Sequence, residues 1–151
     1  MTRKANRSLH GKERALPVRL LQVREAVMTL MRPILRRHGF TEQQWRVLRK
    51  LHARVPIDKT SLAREATLLP PSLTRILKDL EALSLVRTLP AENNPRLVRI
   101  VLTAKGTTAV RRTTADILAM TKRVRERTGD EAFENLLDAL DRFEERLGRP
   151  E

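Results

Sequence analysis

Apolar residues recur along the chain with two different periods, and the changes of period lay out its elements. Between Leu16 and Arg37 they crowd together. Leu20, Leu21, Val23, Val27, Met28, Leu30, Met31, Ile34 and Leu35 cover more than one face, which predicts a helix buried on two sides. Pro33 falls inside it and is expected to kink it or to end a turn there. Thr41-Glu42-Gln43-Gln44 has the spacing of a capping box, and the helix it opens carries Trp45, Leu48 and Leu51. Asp58, Thr60 or Ser61 can cap a short helix through Leu62, Ala63 and Ala66. Pro70-Pro71 then marks a break and a fresh helix start, because proline is tolerated in a first turn. That helix shows Leu73, Ile76, Leu77, Leu80 and Leu83 at three- and four-residue spacing.

The period shortens after this helix. Leu85–Leu89 and Leu97–Leu102 are β-prone runs, and the turn-rich stretch Pro90 to Arg96 separates them. Two short helices joined by a tight turn and followed by a hairpin are a helix-turn-helix with a wing, here from about Ile57 to Leu102. Thr103 caps a long helix to about Arg127, Gly129-Asp130 breaks it, and Phe133, Leu136, Leu137, Leu140, Phe143 and Leu147 form the stripe of a last helix. The expected fold is mainly α with a small β-hairpin wing. Residues 1–15 are expected to form a basic arm, 41–102 the winged DNA-binding lobe, and 16–40 with 103–148 a helical dimerisation region.

Composition narrows the function. With 40% hydrophobic residues and no cysteine, a core forms without disulfides, and thiol nucleophiles, thiolate metal sites and redox switches are excluded. There is no 18-residue apolar run, and residues 1–14 lack the apolar stretch of a secretory signal, so a cytoplasmic protein is expected. The net charge of +13 is unevenly spread. Residues 15–58 carry nine basic against three acidic side chains and residues 59–112 ten against four, while residues 113–151 carry seven against ten. A basic body with a mildly acidic end suits a polyanionic partner on one side. His10, His38 and His52 lack metal-ligand spacing, and no phosphate loop, nucleophile elbow or carboxylate pair is present. The sequence therefore calls for no metal, no cofactor and no enzymatic activity.

The order of elements, with the residues filling it, resembles the multiple antibiotic resistance regulator (MarR) family. The similarity runs from Leu16 to Leu147. It is carried by Leu-Leu-Gln-Val-Arg-Glu-Ala-Val-Met (20–28), Arg-Pro-Ile-Leu (32–35), Thr-Glu-Gln-Gln-Trp-Arg-Val-Leu-Arg (41–49), Pro-Ser-Leu-Thr-Arg-Ile-Leu-Lys-Asp-Leu-Glu (71–81) and Leu-Thr-Ala-Lys-Gly (102–106). The first three together look like the HpaR-like subgroup, which controls homoprotocatechuate and related aromatic-acid catabolic operons. The resemblance implies a homodimer built from the first and last helices. It also implies that each second helix-turn-helix helix lies in a major groove and each wing in a flanking minor groove, and that small aromatic carboxylates weaken DNA binding.

Within the winged motif, Ser72, Thr74, Arg75 and Lys78 lie within two turns near the start of the second helix. Hydroxyls and helix-start N–H groups there can reach phosphate, and Arg75 can pair bidentately with guanine. Arg96 at the wing is the candidate for a narrow minor groove. Relatives commonly place an aspartate where this chain has Asn94 and a second arginine where it has Leu97, so the hold on Arg96 loses charge assistance. Ser84 stands where relatives have a glycine, which predicts a little strain or another turn type. Arg3, Lys4, Arg7, Lys12 and Arg14 are either a phosphate-touching arm or a solubilising start.

By position in the family, Arg24, Met28, Trp45 and Arg49 would line an effector site. Trp45 and Arg49 are four apart and share a helix face, where an indole and a guanidinium could grip an aromatic carboxylate. The competing reading makes Trp45 plain core, with Arg49 paired to Glu25 or Glu42. The chain has no tyrosine, and Thr121 stands where relatives could place one in the site, which removes a phenol partner. The sequence thus predicts a ligand-responsive repressor on a pseudo-palindromic site of about 16–20 base pairs, with the ligand altering the spacing of the two recognition helices. Two alternatives remain at this point: a low-specificity architectural DNA binder, and a constitutive repressor with a vestigial pocket.

Overall fold

The computed structural model describes residues 15–53, 56–91 and 94–148, and of residues 91 and 94–97 the backbone alone. The basic residues 1–14 lie outside the described residues, so the expected N-terminal arm does too. Among the described residues the elements are α1 (Leu16–Arg37), α2 (Glu42–Ala53), β1 (Ile57–Asp58), α3 (Lys59–Glu65), α4 (Pro70–Ala82), β2 (Val86–Ala91), β3 (Asn94–Leu102), α5 (Ala104–Thr128) and α6 (Asp130–Leu147). The fold is mainly α with one small antiparallel sheet. No helix among the described residues is long and apolar enough to cross a membrane. The chain divides into two compact units, residues 1–113 and 114–151.

In the first unit, local chemistry starts α2, α3 and α4 where the sequence says it should. The Thr41 N–H donates to Gln44 Oε1 at 3.0 Å and the Gln44 N–H donates to Thr41 Oγ1 at 3.1 Å, a reciprocal capping box that opens α2. Asp58 caps α3 by accepting from the Ser61 N–H at 2.9 Å. Pro70 and Pro71 occupy the first turn of α4. Pro33 does not end α1, which runs on to Arg37. The core is built from Leu35, Leu48, Leu51, Leu62, Leu73, Leu80 and Ile100, all fully buried. Leu83 departs from the predicted stripe of α4 and is 46% exposed, because the helix has already ended at Ala82.

α3 and α4 finish in the same way. Thr67 follows α3 with φ +53° and Ser84 follows α4 with φ +57°. The Leu68 N–H reaches back to the Ala63 carbonyl (2.9 Å) and the Thr67 N–H to that of Arg64 (3.1 Å). The Leu85 N–H likewise reaches the Leu80 carbonyl (3.0 Å), and the Ser84 N–H that of Glu81 (2.8 Å). These are Schellman caps whose left-handed position, ordinarily glycine, holds threonine and serine.

The strands pair in the order β1-β3-β2, all antiparallel, with Ile57 opposite Ile100 and Thr88 opposite Ile100 on the other side. β1 is an addition to the predicted hairpin: two residues are too few to show a period. The wing strands are also longer than the β-prone runs, since Ala91 still pairs with Asn94. β2 is tied to the end of α4 through Thr88 Oγ1, which donates to Glu81 Oε1 at 2.5 Å.

The first turn of α5 is fastened to the residues that follow α4. Thr103 caps α5 by accepting from the Gly106 N–H (3.0 Å), while its own hydroxyl donates to the Ser84 carbonyl (2.7 Å). Lys105 Nζ donates to the Leu83 carbonyl at 2.8 Å.

In the second unit, Gly129 (φ +86°) turns the chain from α5 into α6. Arg125 clasps the turn: its Nε lies 2.9 Å from Asp130, its Nη1 lies 2.6 Å from Glu134, and its guanidinium stands 5.1 Å over the Phe133 ring. Leu136, Leu137, Leu140, Phe143 and Leu147 form the predicted apolar stripe of α6, and all remain exposed within the chain.

Candidate nucleic-acid interface and ligand cavity

Burying Leu73, Ile76, Leu77 and Leu80 leaves the opposite face of α4 to solvent. Thr74, Arg75 and Lys78 are exposed there and Ser72 is half-buried. Arg75 and Lys78 make no hydrogen bond or ion pair among the described residues, so both cations are open to a partner. Thr74 differs, because its hydroxyl already donates to the Pro70 carbonyl at 3.1 Å and can offer a partner only its lone pairs.

The prolines change one expectation. With Pro70 and Pro71 as the first two residues of α4, two of the usual orphan N–H groups do not exist, and within that turn Ser72 is left as the backbone donor. A phosphate at this helix start would meet side chains more than backbone donors. Arg96 lies in β3, but its side chain, like those of Asn94 and Leu97, lies outside the described residues.

The second site is a cavity of about 290 Å³ within the first unit. Arg24 and Met28 reach it from α1, and Trp45 and Arg49 from α2, so the four residues singled out in the sequence share one lining. Met31, Leu35, Arg46 and Lys50 add to it, as do Glu42 and the segment 65–67. Trp45 is 3% exposed and stacks on Phe40, ring centroids 6.5 Å apart, so it is core and cavity wall at once.

The charges of the cavity are sorted by a four-membered ring of ion pairs. Arg24 binds Glu25 at 2.5 Å and Glu42 at 2.7 Å. Arg32 binds Glu25 at 2.6 Å and also Glu42. Arg32, seconded by Arg24, holds the Glu42 carboxyl below its ordinary range, and Glu25 followed by Glu42 raises Arg32 further. The ring is partly exposed and contributes little stability. Its effect is positional: it ties α1 to the start of α2 and leaves Arg24 already satisfied.

Arg49 pairs with neither Glu25 nor Glu42. Arg49 and Lys50 make no ion pair or hydrogen bond among the described residues. Arg46 Nη1 donates to the Thr67 carbonyl at 3.2 Å. Trp45 Nε1 and Arg46 Nε are buried donors with no partner among the described residues. A cavity with an indole, methionines and three cations on α2 against the one carboxylate of Glu65 outside the ion-pair ring suits a flat anion with an apolar body. The sequence did not single out Arg46, Lys50 or Thr67. Lys50 is five residues from Trp45, outside the four-residue spacing that puts Arg49 on its face, and Thr67 is brought in from the turn after α3.

The comparisons with known proteins agree with this architecture. The model of the MarR family matches residues 40–98. The chain is 37% identical over 129 residues to the homoprotocatechuate degradative operon repressor of Escherichia coli, covering 85% of this chain and 87% of that one. Among solved structures, the transcriptional regulator PA4135 superposes with a TM-score of 0.80 at 39% identity, covering 85% of this chain and 94% of its own. NadR in complex with 4-hydroxyphenylacetate superposes with a TM-score of 0.75 at 37% identity, covering 85% and 91%. With its winged helix-turn-helix and this level of identity across most of its length, the chain belongs to the MarR family of transcriptional regulators.

Proposed function

We propose that this protein is a cytoplasmic, homodimeric transcriptional repressor, released from its operator by a small aromatic carboxylate and controlling an aromatic-acid catabolic or similar operon. The observation that carries the reading is the cavity that Arg24, Met28, Trp45 and Arg49 line together. Trp45 and Met28 would hold the ring, Arg49 the carboxylate, and Arg24 would shape the wall. DNA recognition falls to Ser72, Thr74, Arg75 and Lys78, with Arg96 at the wing.

The exposed apolar residues of α1, among them Leu20, Leu21, Val23, Val27 and Leu30, and the stripe of α6 are surfaces that a second copy would cover. Residues 16–40 and 103–148 are read as the dimerisation region, 41–102 as the DNA-binding lobe and 1–15 as a basic arm. The named relative that represses homoprotocatechuate degradation and the NadR complex with 4-hydroxyphenylacetate support the choice of ligand class.

Trp45 is the chain's one tryptophan, so it reports on the cavity without labelling. Titration with 4-hydroxyphenylacetate and 3,4-dihydroxyphenylacetate is expected to change its fluorescence and, over the same concentrations, to weaken binding to the protein's own promoter. No response in either signal would remove this ligand class. The net charge of +13 favours a second reading, an architectural binder with little sequence preference. A steep salt dependence without a preferred site would support it, and a sharp specificity ratio at physiological salt would exclude it.

A further inference from the structure

Part of the cavity wall is the turn of the helix-turn-helix itself. Glu65 ends α3, and Ala66 and Thr67 open the path to α4. Thr67 is β-branched yet sits at φ +53°, a conformation that its branched side chain disfavours, so the turn persists only because its surroundings hold it. One such hold is the hydrogen bond from Arg46 Nη1 to the Thr67 carbonyl, at the long end of the range with 3.2 Å. Arg46 belongs to α2 and lines the same cavity beside Trp45.

Arg46 Nε and Trp45 Nε1 share a further property: both are buried donors without a partner among the described residues. A buried donor left unmade is costly, so an acceptor arriving at this end of the cavity gains more than the average hydrogen bond. The Arg46–Thr67 bond is charged on the donor side only, whereas a carboxylate brings the opposite charge and two oxygens that the guanidinium fork can bind in parallel. Placed within reach of Arg46, it therefore competes successfully with the Thr67 oxygen. The other cavity cations are not connected in this way. Arg24 is held by two carboxylates, and Arg49 and Lys50 make no hydrogen bond to the turn.

We propose that Arg46 is the positioning residue that carries occupancy of the cavity to the helix-turn-helix. An anionic ligand draws its guanidinium from the Thr67 carbonyl, the turn relaxes from its left-handed conformation, and the start of the recognition helix loses its fixed seat. This rests on the effector reading above and adds a mechanism internal to one lobe, beside any change in the spacing of two lobes. No bond is made or broken apart from hydrogen bonds.

The test uses the full chain and its Arg46→Lys and Arg46→Met variants, with 4-hydroxyphenylacetate as the probe. Calorimetry measures ligand binding, operator affinity is measured with and without saturating ligand, and hydrogen exchange is followed at the Thr67 and Leu68 amides. In the unmutated protein, ligand is expected to lower operator affinity roughly 5- to 150-fold and to speed exchange at both amides. Arg46→Lys keeps the charge and most of the stem, but loses the planar fork that spans two acceptors. It is expected to bind ligand more weakly and, when saturated, to retain a coupling below about threefold. Arg46→Met should behave likewise, with both amides exchanging faster even without ligand.

Variants that bind ligand and keep the full coupling would overturn the role of Arg46 while leaving the effector reading intact. So would release of DNA with unchanged exchange at Thr67 and Leu68. If the unmutated protein neither binds nor responds, the effector reading fails and the coupling falls with it.

Discussion

The carbonyl oxygen of Leu85 lies 2.0 Å from where a β-carbon on Gly106 would stand. Glycine serves close approach here. Thr103 stitches the same junction by donating to the Ser84 carbonyl and capping the Gly106 N–H. Alanine at 106 is better by about 1 kcal/mol in helix propensity, yet it must push the Leu85 backbone, just ahead of β2, away from the first turn of α5. Gly106→Ala is expected to destabilise the protein by about 1–3 kcal/mol, as overpacking against backbone does. Urea unfolding checks this through a lower midpoint at unchanged slope; an unshifted midpoint would show that the junction yields freely.

Glycine is absent where the backbone would favour it. Ser84 and Thr67 hold left-handed positions at the ends of α4 and α3. The left-handed conformation costs about 1–2 kcal/mol, and glycine returns part of the gain through a freer unfolded chain, about 0.4–1 kcal/mol. Ser84→Gly is expected to stabilise by about 0.5–1 kcal/mol. Thr67→Gly should gain more, because its β-carbon is branched. Thermal unfolding of the two variants decides the order.

Acid should weaken two helix-start contacts of the first unit. The Asp58 carboxyl is lowered by the backbone hydrogen bond from Ser61, and Glu42 by its hydrogen bond from Arg32. A carboxyl with a folded pKa below its unfolded one stabilises fully above about pH 4–4.5. That contribution is lost as pH falls through the folded value. Asp58→Ala is expected to cost about 0.5–2 kcal/mol at pH 7 through loss of the cap. Asp58→Asn should keep the cap and flatten part of the acid slope, measured by denaturant titrations between neutral pH and about pH 3.

Arg75 and Lys78 should fail in different ways. Arg75→Ala is expected to cost about 1–3 kcal/mol on the operator and to relax preference at one base pair. Lys78→Ala should weaken operator and random DNA alike and reduce the salt slope by about 1. Binding to both duplexes across a salt series separates the two. A uniform loss for Arg75→Ala would reassign it to the phosphates.

Much of the fold was legible because its signals are local. The Thr41–Gln44 box, the Asp58 cap and the 73/76/77/80 stripe each lie within a few residues, and each marks the element found. β1 was not, because Ile57 and Asp58 acquire strand character only by meeting Ile100 and Arg99. Of the cavity, all four expected lining residues came from resemblance, and helix spacing adds only that Trp45 and Arg49 share a face. The engagement of Arg24 was hidden, since Glu42 lies 18 residues away and meets it only through the packing of α1 on α2. The strain at Thr67 leaves no mark in composition or spacing, because a cap's sign of φ is set by where the next helix must go.

The ring of Arg24, Glu25, Arg32 and Glu42 is neutral as a whole, and the cavity cations outside it, Arg46, Arg49 and Lys50, all stand on α2, while α1 brings Met28, Met31 and Leu35. On the ligand reading proposed above, α2 would supply the charge together with the indole of Trp45, and α1 the exchangeable apolar part of the wall. A lineage can then exchange methionines on α1 for other apolar residues and drift from one aromatic acid to another. The demand for an anion, and the DNA-reading helix beyond it, need not be rebuilt.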